Sequence, residues 1–140
     1  AGISMYAFYL SGKDSNLTVT GRSHICELMM QSGGKLKVIG TAGERQLSLG
    51  CTTLDLGGDA NLELHHVHLG RPLAWQGEKE MGEATVKGNA LLTGDGLSVR
   101  NVRFRTEESG RVELRDVQRH GTIAVREDGG SISITAQAAR

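Results

Sequence analysis

Short runs in which apolar and polar residues alternate recur along the whole chain. They are Leu17-Thr-Val19, Leu36-Lys-Val38, Gln46-Leu-Ser-Leu49, Leu54-Asp-Leu56, Leu62-Glu-Leu64, Leu97-Ser-Val99, Val112-Glu-Leu114, Ile123-Ala-Val125 and Ile132-Ser-Ile134. Alternation over so few positions predicts short strands with one buried face. Nearly every run is followed by a residue that breaks regular structure: Gly21, Gly40, Gly50, Gly57-Gly58, Asn101, Asp116 or Gly129-Gly130. Breakers at that frequency leave no room for helices of ordinary length.

The apolar positions also repeat over a longer distance. One series runs Leu17, Leu36, Leu54, Leu73, Leu92, Val112 and Ile132, in steps of 18 to 20 residues. A second runs Leu28, Leu47, Val67, Val86, Phe104 and Ile123 with the same spacing. A period near 19 predicts a solenoid, in which each repeat is one coil and its inward residues stack on those of neighbouring coils. About seven coils at a strand spacing of about 4.8 Å would extend roughly 34 Å. The expected fold is therefore all-β, a parallel β-helix with coils of about 19 residues, in one domain over 1–140. An antiparallel β-sandwich or jelly roll is the alternative, since it also gives short strands with frequent turns.

Three segments share a finer pattern: Leu62–Leu69, Leu97–Phe104 and Val112–Arg119 all read apolar-x-apolar-x-polar-Val. The polar residue, His66, Asn101 or Asp116, falls where a strand would turn before resuming. Asn and Asp tolerate left-handed backbone better than other side chains. Each segment reads as strand, one-residue bend, strand. The same alignment gives Arg100 and Arg115 one position, so that they would stack outward in a column.

Composition agrees with short strands and tight corners. Glycine occurs 20 times, proline once, and aromatic residues make up 4% of the chain. Lys and Arg number 16, as do Asp and Glu, so no general attraction to nucleic acid or anionic membrane is expected. No apolar stretch is long enough to insert through a membrane as a helix. Residues 1–14 contain the aromatic group Tyr6, Phe8 and Tyr9, a candidate cap for one end. The stretch 70–88, with Trp75 and Glu78-Lys-Glu80, fits the repeat badly and is expected to leave the coil as a loop. Cys26 and Cys51 lack a C-x-x-C spacing and are expected to be free and inert.

Units such as NLTVTG, KLKVIG and SISITA, at a period near 19, resemble the repeat region of filamentous-haemagglutinin-type exoproteins, and more loosely autotransporter passengers. The resemblance spans roughly residues 15–136 and implies a secreted or cell-surface bacterial protein. By the same resemblance it would be a structural or adhesive segment whose partners are glycans or host and cell-surface proteins. Two cysteines and five histidines depart from that pattern.

Two groups of residues could carry chemistry. His65, His66 and His68 cluster, and on a strand His66 and His68 would share one face, making them candidate metal ligands. Arg100, Arg115 and Arg119 are candidate ligand-binding residues, because guanidinium groups grip sulfated or carboxylated glycans in pairs of hydrogen bonds. An enzyme reading would draw on Arg115, Asp116, Arg119 and His120, as in β-helix polysaccharide lyases and hydrolases. No catalytic motif supports it, and no cofactor is expected. An oligomeric β-sandwich module is a third reading. The open ends of a solenoid expose unpaired backbone, so self-association through the ends is also expected.

Overall fold

A computed structural model of the chain describes residues 3–12, 14–20, 23–30, 33–40, 47–49, 53–70 and 82–136. Its strands are β1 (Ile3–Tyr9), β2 (Asn16–Thr20), β3 (Ser23–Met30), β4 (Lys35–Ile39), β5 (Leu47–Leu49), β6 (Thr53–Leu56), β7 (Asn61–His65), β8 (Val67–Gly70), β9 (Gly82–Val86), β10 (Leu91–Asp95) and β11 (Ser98–Ala136). They form one 11-stranded curled sheet, and no helix occurs among the described residues. Each pairing of one of these strands with another is parallel. An antiparallel sandwich is thereby ruled out as their arrangement.

The pairings sort into three stacks. In the first, β2, β4, β7, β10 and the middle of β11 lie side by side, with Leu17, Leu36, Leu62, Leu92 and Val112 in one column. In the second, the start of β3, then β5, β8 and the start of β11 follow one another. In the third, the end of β3, then β6, β9 and residues 102–106 of β11 do the same. β1 extends the second and third stacks by pairing along β3, so the aromatic N-terminal segment is a strand of the sheet.

The step between stacked strands is not constant, which corrects the expected period. Asn16 pairs with Lys35 and Leu91 with Arg111, close to 19 residues on, but Lys35 pairs with Asn61 and Asn61 with Leu91. The added chain falls in different places: residues 40–46 separate β4 from β5, between the first and second stacks, and residues 71–81 separate β8 from β9, between the second and third. As a result Leu54 stacks on Leu28 and Ala84, not on Leu36. Of the expected excursion at 70–88, residues 71–81 lie outside the described residues, while 82–86 return to the sheet as β9. Leu73, Trp75 and Cys51 also lie outside the described residues.

Alternation puts every second side chain of the first stack inside: Leu36 and Val38 of β4 and Leu62 and Leu64 of β7 are buried, while Ile39 faces outward and is half-buried. Leu36, Leu62, Leu92 and Val112 form one internal ladder, and Leu28, Leu54, Ala84 and Phe104 another. Ala84 beside Phe104 leaves room for the large ring, the volume matching that a close-packed core requires. Each fully buried Leu or Phe in these ladders contributes about 1.5–3 kcal/mol.

Corners are made where the sequence places its polar interruptions. His66, Asn101 and Asp116, the three expected bend residues, all have positive φ (54°, 53° and 53°), as does Glu108 (57°). A left-handed backbone costs a side-chain-bearing residue about 1–2 kcal/mol, so each corner needs compensation. At Asn101 the side-chain Oδ1 accepts a hydrogen bond of 2.8 Å from the backbone N–H of Thr122, on the next turn of chain. At the corner between the third and first stacks, Gly130 passes so close to Gly110 that a Cβ would fall 1.8 Å from the Gly110 carbonyl oxygen. Only glycine fits there.

Candidate ligand-binding face

The outer face of the first stack carries polar side chains in register. Lys37, Glu63, Thr93 and Glu113 form one outward column, and Ile39, His65, Asp95 and Arg115 the next. Strand alternation fixes this, because the inward partners between them are the buried Val38, Leu64, Gly94 and Leu114. Gly94 needs no side chain: a Cβ there would meet Leu97 Cδ1 at 2.6 Å and Leu114 Cδ2 at 3.0 Å. Its neighbours already fill the core at that level.

These columns border a shallow depression of about 540 Å³, edged by Glu63, His65, Asp95, Glu113, Arg115, Ser133 and Thr135. Inside it, His65 Nε2 donates a 2.8 Å hydrogen bond to Glu63 Oε2, and Lys37 Nζ lies 3.3 Å from the same oxygen. The His65 hydrogen bond holds the Glu63 carboxyl below its ordinary range against the desolvation that opposes it, with Lys37 adding to the lowering. Glu63 is therefore an anion at neutral pH, and Glu113 is ion-paired with Arg111. The face alternates hydrogen-bond acceptors and donors without a net field of either sign.

The expected site residues are dispersed. Arg100 pairs with Gly70 in the second stack, whereas Arg115 pairs with Asp95 in the first. They do not form a column, because the bends at Asn101 and Asp116 are different corners of the sheet. Arg119 lies past the Asp116 corner and borders a second depression, with Val117 and Ile123. Arg115 and Arg119 thus serve different surfaces, and the group Arg115, Asp116, Arg119 and His120 is split by a corner. Elsewhere Arg103 pairs with Glu83 at 3.4 Å, and Arg105 and Arg126 both pair with Asp128 at 2.9 Å. At Asp128 partial desolvation opposes these contacts, yet the bonds from Arg126 and then Arg105 hold its carboxyl below the usual value.

His66 and His68 do not share a face. His66 occupies a corner, and a Cβ on Gly96 would come within 2.6 Å of its Nδ1. His68 is buried, and its Nδ1 shares a 2.9 Å hydrogen bond with Ser98 Oγ. No group of three His, Cys, Asp or Glu side chains among the described residues is arranged to hold a metal ion.

What the sequence did not reveal is the grouping of Glu63, His65, Asp95 and Glu113. They meet only through the 30- and 20-residue steps between β7, β10 and β11. Comparison of the chain with protein-family models, with curated proteins and with solved structures gives no match.

Proposed function

We propose that the chain is a parallel β-solenoid segment of a secreted or cell-surface exoprotein of the filamentous-haemagglutinin type. In this reading it acts as a structural and adhesive element, and the outer face of its first stack binds glycans. The observation that carries the reading is the in-register set Glu63, His65, Asp95, Glu113 and Arg115 around an open depression. Ionised acceptors beside cationic donors make the strongest hydrogen bonds to hydroxyl groups. The rise per sugar in an extended polysaccharide is close to one strand spacing, so successive rings can meet successive rungs. Charge neutrality of the face favours hydroxyl-rich, uncharged glycans over the sulfated ones that an arginine column would select. Repeated weak contacts along the columns supply avidity.

A hydrolytic reading has one observation in its favour. Glu63 and Glu113 sit two strands apart on one face, roughly 10 Å at ordinary strand spacing, near the separation of an inverting carboxyl pair. Both are ion-paired and partly exposed, however, and a general acid needs a carboxyl kept protonated by burial.

The test is incubation with neutral, acidic and sulfated polysaccharides, read for retention and for new chain ends. Salt-insensitive retention of a neutral glycan without cleavage, lost in Arg115→Ala and kept in Arg119→Ala, is expected. New chain ends would establish the hydrolytic reading, and equal effects of both variants would remove the assignment to this face.

A further inference from the structure

The row Ile39, His65, Asp95 and Arg115 crosses the candidate face on four adjacent strands. Its polar members differ in how far their hydrogen bonding is already satisfied. His65 is engaged through Nε2, which donates to Glu63 Oε2 at 2.8 Å, and Lys37 holds that same oxygen. Glu113, on the far side, is engaged by Arg111. Asp95 and Arg115 stand beside these two networks, and neither makes an ion pair or side-chain hydrogen bond with a described residue. Asp95 is half-buried and Arg115 exposed. One sugar hydroxyl can donate to the carboxylate and accept from the guanidinium, which makes this pair the centre of the binding face.

His65 decides whether Asp95 stays open. A carboxylate only accepts, so Nε2 carries the proton of the neutral ring and Nδ1 is an acceptor. A second proton enters at Nδ1, which then becomes a donor in need of a partner. In register the ring has two neighbours, Ile39 on β4 and Asp95 on β10, each about 4.8 Å away at ordinary strand spacing. Ile39 offers no acceptor, so Asp95 takes the new bond. The charged groups around the ring are Lys37 from β4, Glu63 from its own strand, Asp95 from β10 and, beyond it, Arg111, Glu113 and Arg115 from β11. His66, the next residue, lies at the corner against Gly96. Lys37, Arg111 and Arg115 balance Glu63, Asp95 and Glu113, so the added proton also leaves the face with a net positive charge. Histidine is the side chain that changes charge between about pH 5 and 8, a range in which ordinary carboxylates stay ionised.

We propose that Asp95 and Arg115 take the glycan hydroxyl and that protonation of His65 releases it, the imidazolium drawing Asp95 into an ion pair. The inference rests on the glycan reading of this face. It gives the segment a contact that holds at neutral pH and lets go in mildly acidic surroundings.

The experiment has two arms. The first measures retention on immobilised neutral polysaccharides (dextran, cellulose and galactomannan). From about pH 7.5 to about pH 5.5 retention should fall about tenfold, the worth of one hydrogen bond to a charged group, and recover on return. His65→Gln keeps a donor for Glu63 but cannot take the second proton, so its retention should not change with pH. His120→Gln, outside the face, should respond as the unmodified chain does. The second arm uses no glycan: the Asp95 carboxyl carbon is followed by NMR while the His65 ring is titrated. The two should shift together, and the Asp95 step should vanish in His65→Gln. An Asp95 carbon that ignores the His65 titration, retention that is equal at both pH values, or a pH response kept by His65→Gln would overturn the proposal. Coupled shifts without retention of any glycan would instead refute the binding reading and leave the His65–Asp95 pairing standing.

Discussion

Replacing Asn101 separates the two things a corner residue does. Its backbone is left-handed (φ 53°), and its side chain accepts the hydrogen bond from Thr122 N–H that ties one turn of chain to the next. Asn101→Gly removes only the second, a net loss of about 1 kcal/mol for one hydrogen bond. Asn101→Ala removes it as well and adds the left-handed penalty of an ordinary side chain, about 1–2 kcal/mol, for a total of about 2–3 kcal/mol. Asn101→Asp keeps both an acceptor and a tolerant side chain and should lie within about 0.5 kcal/mol of the parent chain. Urea unfolding with a shared m-value gives the three differences directly. In thermal melts the Ala variant should fall by roughly 6–9 °C, at about 3 °C per kcal/mol. Hydrogen exchange adds location: the loss of protection should concentrate in residues 117–136, beyond the severed tie. An alanine variant as stable as the glycine variant would refute the account of the corner.

Three further perturbations probe the core and the face. Phe104, fully buried against Ala84, should cost about 3–5 kcal/mol when cut to Ala, measured by urea unfolding. Thr106 is also fully buried, with a hydroxyl that has no hydrogen-bond partner, so the isosteric Thr106→Val should raise stability by about 1 kcal/mol. Glu63 has a folded-state pKa below its unfolded value of 4.5, so its contribution is present above that pH and is lost as pH falls through the lowered value. Glu63→Gln should therefore flatten the decline in melting temperature between neutral pH and about pH 3, and an unchanged slope would remove Glu63 from the acid response.

Local chemistry was legible in the sequence wherever a single strand or a single residue decided the outcome. The inward pairs Leu36 and Val38, Leu62 and Leu64, and Val112 and Leu114 follow from alternation alone, and all are buried. The bends at His66, Asn101 and Asp116 follow from a polar residue set between an alternating run and a valine, and all three are left-handed. What could not be read was how far the chain travels between equivalent strands. A uniform step put Leu54 beneath Leu36, but the added chain at 40–46, between the first and second stacks, moves it beneath Leu28. The same difficulty misplaced the arginines. One corner looks like another over eight residues, so aligning Asn101 with Asp116 stacked Arg100 on Arg115, although the two bends lie on different edges of the coil. Glu63 and Glu113 likewise meet only because two unequal steps bring them to one face. Alternation encodes which side of a strand is buried, and nothing local encodes the length of an excursion.

Backbone NOE contacts in an isotopically labelled sample test the stacking most directly. The account expects cross-strand contacts linking Leu62 to Leu92 and Leu92 to Val112, in the parallel pattern, with Leu28 linked to Leu54 and Leu54 to Ala84. Contacts joining Leu36 to Leu54, or the short Hα–Hα contacts of antiparallel strands, would contradict it.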